Sequence, residues 1–202
     1  EERLRFLEKR AKTLAANTDY AIMANFGGSA LEAGQGLRGW GQFMIDLADG
    51  GAFTEDLIGG IVDWHLQNLS LYLEAVGDKV QIIQFGDDLG TQDRPQISPA
   101  MYRKFIQPGH ARLFQAVHQN TDCAVFLHSC GSIYALIPDL IEAGVDILNP
   151  VQTSAAQMDP RQLKAKFGDR ITFWGGGCDT QNILPNATPE EVAQHVTERI
   201  RI

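Results

Sequence analysis

The segment His128-Ser129-Cys130 carries the side chains best suited to chemistry. In extended backbone, residues two apart project to the same side, so an imidazole nitrogen and a sulfur can reach one ion. Zinc prefers these donor types, and a catalytic zinc site takes three protein ligands and leaves a position open. Cys178, at the end of a later apolar run, is the candidate third ligand. The alternative is a thiol packed as a small hydrophobe, with His128 hydrogen-bonded to a neighbouring loop. Asp87-Asp88 could act as a general acid and base or clamp a substrate hydroxyl or amine. Adjacent carboxylates are costly to bury unless a ligand, a metal or an arginine compensates them. The competing reading is a loop pair that caps a helix or meets Arg94. His65, His110, His118 and His195 fall in helical stretches and read as surface or packing residues, and Cys123 precedes its strand and reads as structural.

The elements that must position these groups follow from hydrophobic periodicity. Residues 3–15 repeat apolar side chains at helical spacing, as do 39–48 and 55–76. Continuous apolar runs at 20–26, 80–85, 124–127, 145–148 and 171–174 read as strands, each followed by a glycine-rich or polar stop. Ser98-Pro99 and Asp159-Pro160 have the form of an N-cap followed by a first-turn proline. Gly144 suits a helix C-terminus, and Thr188-Pro-Glu-Glu191 suits a capping box. Strand, stop and helix recur about five times, which predicts an α/β fold with parallel strands buried on both faces. In such folds ligands sit at the C-terminal strand ends. Those ends deliver Asn25, then Asp87 and Asp88, then His128 and Cys130, then Asn149 and Gln152, then Cys178, Asp179 and Gln181. Asn25, Gln152, Asp179 and Gln181 are therefore candidate substrate-binding groups. Gly175-Gly176-Gly177 allows close approach of a ligand to backbone, but lacks the spacing of a phosphate-binding or dinucleotide motif.

Composition narrows the function classes. Of 202 residues, 17 are basic and 25 acidic, so 17 − 25 = −8, which argues against nucleic acid as a partner. No apolar run reaches the roughly 18 residues needed to span a bilayer, and the N-terminal residues lack the apolar core of a signal peptide. Three cysteines do not make a disulfide framework, so a cytoplasmic protein with reduced thiols is expected. No linker-like stretch divides the chain, which reads as a single α/β domain over 1–202.

Three runs carry a family resemblance: Phe126-Leu-His-Ser-Cys-Gly-Ser-Ile, Leu136-Ile-Pro-Asp-Leu-Ile-Glu-Ala-Gly-Val-Asp-Ile-Leu-Asn-Pro-Val-Gln152, and Phe167-Gly-Asp-Arg-Ile-Thr-Phe-Trp-Gly-Gly-Gly-Cys-Asp-Thr-Gln181. With Gly86-Asp-Asp-Leu-Gly-Thr-Gln92, they make residues of about 20–202 similar to the uroporphyrinogen decarboxylase family. That family contains porphyrinogen decarboxylases and zinc-dependent methyltransferases that work with corrinoid proteins and coenzyme M or related thiols. The resemblance implies a TIM (β/α)8 barrel with its active site at the strand C-termini. Five strands cannot close an eight-stranded barrel. The expectation is therefore the central-to-C-terminal part of one, with apolar edges that favour self-association. The decarboxylase's arginine-rich N-terminal segment and the motif carrying its catalytic aspartate have no counterpart here. His128 and Cys130 match the methyltransferases' His-x-Cys zinc pair. The family's third cysteine lies further along than Cys178, whose place as a ligand rests on geometry alone. The resemblance thus implies zinc, a corrinoid co-substrate on a partner protein and a small-molecule thiol, with a tetrapyrrole substrate and decarboxylation, or a catalytically silent binding module, as the alternatives.

Overall fold

A computed structural model describes all of residues 1–202. Its sheet has five parallel strands: β1 (Met23–Gly27), β2 (Ile82–Gly86), β3 (Ala124–His128), β4 (Ile147–Asn149) and β5 (Thr172–Phe173). Their order in space is β1-β2-β3-β4-β5, the order in sequence. Uninterrupted sequential order is that of consecutive βα units in a barrel; a doubly wound sheet would reverse at a switch point. The helices are α1 (Glu2–Asn17), α2 (Leu31–Arg38), α3 (Trp40–Asp49), α4 (Ala52–Val76), α5 (Pro99–Met101), α6 (Gln107–Asn120), α7 (Ile137–Ala143), α8 (Pro160–Phe167) and α9 (Pro189–Ile200), with a π-helical turn, Tyr102–Ile106, joining α5 to α6. No helix is long and apolar enough to cross a membrane.

Alternation along the strands divides the core. Ile83, Phe85, Val125, Leu127 and Leu148 point to the face covered by helices and join the main core with Ile58, Val62, Leu69 and Leu73 of α4 and Leu113, Phe114 and Val117 of α6. Ile82, Phe126 and Ile147 form a second apolar cluster. They lie at the alternate strand positions, on the opposite face. His128 and Asn149 share the parity of this second set. The register pairs Gly86 with His128 and His128 with Asn149, so β2, β3 and β4 finish level with one another. That flush ending puts the residues after β2 and β3 side by side.

The helix punctuation read from sequence is present. The Ser98 and Asp159 side chains accept backbone N–H groups, Thr188 and Glu191 form a complete capping box, and Gly144 takes a left-handed conformation after α7. One element departs from expectation. The stretch 31–38, with Gly34 and Gly36, falls outside the helical stretches read from periodicity but folds as α2. Gly34 is needed because the Phe43 ring lies against it; a Cβ there would stand 2.2 Å from that ring. The cap of α2 comes from a residue remote in sequence, described below.

Tyr102 is fully buried, and its hydroxyl meets Nδ1 of His110 at 3.1 Å. Burial, then the negative charges of Asp87 and Asp139, push its phenol well above the ordinary value. Because the folded pKa is raised, Tyr102 adds no pH dependence below about pH 10. Above that the unfolded chain ionises and the folded one does not, so stability is lost. Tyr102→Phe should lower stability at pH 7 by about 1 kcal/mol through the lost hydrogen bond. The same variant should lose less stability than wild type above pH 10; urea midpoints measured across pH 7 to 11 check both.

Candidate metal centre

The level ends of β2 and β3 bring three donor types together. His128 Nε2 lies 3.4 Å from Cys130 Sγ and 3.9 Å from an Asp88 oxygen. Asp88 Oδ1 also accepts the Cys130 N–H at 2.8 Å. An imidazole nitrogen, a thiol sulfur and a carboxylate oxygen are thus mutually within 4.8 Å, all on half-buried side chains. His128 Nδ1 meets Asn149 Oδ1 at 2.6 Å, and Asn149 Nδ2 donates to the Trp174 carbonyl at 2.9 Å. The amide orientation that satisfies both bonds puts the His128 proton on Nδ1 and leaves the Nε2 lone pair facing Cys130. A partner of this kind is what fixes ring and tautomer in metal-binding histidines.

Electrostatics at the cluster favour a cation. Burial, followed by the charge of Asp88, its hydrogen bond and the charge of Glu32, pushes the Cys130 thiol up to about 11. Burial likewise raises the Glu32 carboxyl, with Asp87 and Asp88 adding to the rise against the Asp88 N–H bond. That bond, from Asp88 N to Glu32 Oε2, measures 3.1 Å. A bound cation would reverse the sign of this field and favour the thiolate. The donor set therefore fits a zinc ion.

The loops that present the donors are tied backbone to backbone. Gly131 adopts φ +86°, and a Cβ on it would lie 2.6 Å from the Gly90 backbone, while one on Gly90 would lie 2.5 Å from the Cys130 carbonyl. Only glycine permits this contact. Leu89 N donates to Ser129 Oγ, and Ser132 N to the Thr91 carbonyl. Gln152 accepts the Gly131 N–H at 3.0 Å through Oε1 and donates to Gln92 through Nε2, so it braces the Cys130 loop.

Other expected site residues stand elsewhere. Asp87 is not a rim carboxylate: it is buried and accepts the N–H groups of Ala30, Leu31 and Glu32, each at 2.9 Å, thereby capping α2. His110, expected at a surface or in packing, is buried and its Nε2 meets Asp87 Oδ2 at 3.0 Å. Burial pushes the Asp87 carboxyl up, but the hydrogen bonds from His110 and from the backbone N–H groups at the start of α2 outweigh it and hold it below the ordinary value. Cys178 is outside the donor group; its Sγ faces the Asp179 carbonyl at 3.8 Å. Asp179 spends its carboxylate on Gln181 N and on Asn182, while its own N–H reaches His195 of α9. Gln181 is exposed, and Asn25 lies on a groove with Leu4, Leu7 and Tyr72. A larger groove of about 650 Å³ between α2 and α4, lined by Leu37, Leu57, Ile61, Trp64 and His65, shares no residue with the donor cluster. Glu32 was hidden because its segment does not read as a helix.

Residues 29–202 match the family model of uroporphyrinogen decarboxylase (URO-D). The chain belongs to the uroporphyrinogen decarboxylase family. This family includes methyltransferases as well as a decarboxylase. Among curated proteins, the chain is similar to a methylated-thiol--coenzyme M methyltransferase of Methanosarcina mazei, 29% identical over 104 residues, which span 52% of this chain and 26% of that protein. Among solved structures, a methyltransferase from Methanosarcina mazei superposes with a TM-score of 0.60 at 15% identity, covering 98% of this chain and 64% of that one. The likeness extends the sequential parallel sheet to a family fold, of which this chain spans 64% of the solved example.

The hydrogen bond from His128 to Asn149 makes a specific demand. Asn149→Ala should weaken Zn²⁺ or Co²⁺ binding about 10-fold or more by freeing the ring. Cys178→Ser should leave it unchanged. Competition titration against a chromophoric chelator measures both.

Proposed function

We propose that this chain carries the metal-binding part of a zinc-dependent methyltransferase that moves a methyl group between a corrinoid on a partner protein and a small-molecule thiol. The observation that supports this most is the gathering of Asp88, His128 and Cys130 within 4.8 Å at the strand C-termini. Similarity to a methyltransferase named for methylated thiols and coenzyme M agrees with it. Imidazole and thiolate suit zinc and ill suit magnesium or calcium, which take oxygen donors.

Asp88, His128 and Cys130 would hold the ion, with Cys130 giving up its proton on binding. When bound, zinc supplies Lewis acidity that lowers the pKa of a thiol acceptor toward neutral pH. Asn149 keeps His128 Nε2 aimed at the cluster, and Gln152 holds the Gly131 amide so that the Cys130 loop keeps its shape. Glu32, raised by burial and by the charges of Asp87 and Asp88, takes the acceptor's proton at Oε1, the oxygen that the Asp88 amide leaves unused. The thiol sulfur then forms the bond to the methyl carbon, and both electrons of the cobalt–carbon bond remain with the departing corrinoid substrate. An acidic macrocycle, the substrate type of the decarboxylase branch, would meet Asp88 and Glu32 as like charges, which disfavours that reading.

The protein incubated with Zn²⁺, methylcobalamin and coenzyme M should yield the methylated thiol, read by product mass and by the corrinoid absorbance change. His128→Ala and Cys130→Ala should each abolish stoichiometric zinc binding and methyl transfer together. Undiminished turnover after the metal is stripped by a chelator, or a chelator-insensitive decarboxylation of a porphyrinogen, would overturn the proposal.

A further inference from the structure

The most unusual polar assembly in the molecule lies beneath the donor cluster. Tyr102, His110 and Asp87 are all buried and bonded in series: Tyr102 Oη to His110 Nδ1 at 3.1 Å, and His110 Nε2 to Asp87 Oδ2 at 3.0 Å. The partners assign the tautomer, with Nε2–H donating to the carboxylate and Nδ1 accepting from the phenol. Asp87 then takes the N–H groups of Ala30, which precedes α2, and of Leu31 and Glu32, its first two residues; Glu32 receives the Asp88 amide, while Asp88 receives the Cys130 amide. The series runs without a gap from the helix side of the sheet to the metal donors.

Two features set this apart from ordinary capping. First, α2 has a serine beside its start, Ser29, a residue type that caps helices by itself. The helix nevertheless starts at Leu31, with Ala30 in the cap position and no side-chain cap of its own, and is held by a carboxylate from the end of β2. Capping from β2 couples α2 to the strand that presents Asp88; capping from Ser29 would not. Second, the π-helical turn Tyr102–Ile106 brings the phenol and imidazole into line. Eight residues of regular α-helix rotate by about 800°, which would leave Tyr102 and His110 about 80° apart around the axis. Absorbing one extra residue in the wide turn reduces the offset to about 20°, so both side chains share one face. The helix departs from its regular geometry where the array needs it.

We propose that His110 is a positioning residue for the metal centre: acting through Asp87, it fixes the start of α2 and thereby the placement of Glu32 and of the Asp88 and Cys130 backbone amides. This rests on the metal reading above and extends it to residues that touch neither ion nor substrate.

The test uses the whole chain with three variants. His110→Phe fills the space and removes both ring bonds; His110→Gln can keep one; Leu113→Ala removes packing from the buried face of the same helix without touching the array. Co²⁺ titration, followed by thiolate-to-cobalt absorption, is paired with amide hydrogen exchange at Asp88 and Cys130 and with thermal melts. His110→Phe should weaken Co²⁺ binding about 10-fold or more and speed exchange at both amides. His110→Gln should recover part of each, and Leu113→Ala should lower the melting temperature while leaving both at wild-type values. Wild-type Co²⁺ affinity and exchange in His110→Phe would overturn the proposal, and so would an equal loss in Leu113→Ala. If the unsubstituted chain binds no Co²⁺, the metal reading fails by itself. Exchange then decides the positioning role: faster at Asp88 and Cys130 in His110→Phe alone supports it, and unchanged rates overturn it. Should His110→Phe not fold, Tyr102→Phe replaces it, with a smaller loss in the same direction expected and no change overturning the proposal.

Discussion

A carboxylate placed in an apolar interior must have its oxygens answered, because an unpaired buried charge destabilises by several kcal/mol. Asp87 meets that demand with three backbone amides at the start of α2, those of Ala30, Leu31 and Glu32, and the ring of His110. Burial alone would drive its proton back on, and the four donors together keep it ionised. The consequence is architectural. One side chain at the end of β2 joins the strand to the start of α2 and to α6, so these elements cannot shift independently. Successive side chains on extended backbone point opposite ways. With Asp87 committed to the core, its neighbour Asp88 is directed toward the Cys130 loop. A dipeptide of identical residues thereby divides into an anchor and a donor.

The donor side obeys a different balance. Without a cation, Cys130 holds its proton up to about pH 11, because burial and the charges of Asp88 and Glu32 all oppose the thiolate. The same charges become attractive to a divalent ion. Concentrating carboxylates beside a thiol is therefore unfavourable for free cysteine chemistry and favourable for metal-assisted chemistry. His128 carries no comparable conflict, since Asn149 engages Nδ1 and leaves Nε2 available.

Much of the scaffold was legible in the residues. Continuous apolar runs gave five strands, and Ser98, Asp159 and Thr188 marked helix starts that the structure contains. Local chemistry decides such features, so local sequence reports them. His128 and Cys130 were found the same way, from a spacing of two along extended backbone. What stayed hidden depended on distant partners. Leu31–Arg38 folds as a helix because Asp87 caps it and Phe43 packs on Gly34, 56 residues and 9 residues away. Glu32 was missed with that helix. His110 lies on a helix whose register is altered by a π turn, so its periodicity gave no sign of a buried polar role. Cys178 shows the converse: β5 stops at Phe173, and Cys178 lies five residues further along the loop, outside the donor group.

The difference between Cys178 and Asp88 follows from how their loops are held. The loops after β2 and β3 touch backbone to backbone at Gly90 and Gly131 and are cross-linked by Leu89 to Ser129 and Ser132 to Thr91. Donors mounted on such a pair have little freedom to separate, which is the preorganisation a metal centre requires. The loop after β5 faces the other way in its bonding: Asp179 organises its own turn through Gln181 and Asn182, and its amide is bound to His195 of α9. Bringing Cys178 toward the cluster would have to move that turn together with α9. Asp88 needs no such movement, because the Cys130 amide already holds its carboxylate in place. Rigidity, more than proximity along the sheet, therefore places the Asp88 carboxylate rather than the second cysteine beside His128 and Cys130.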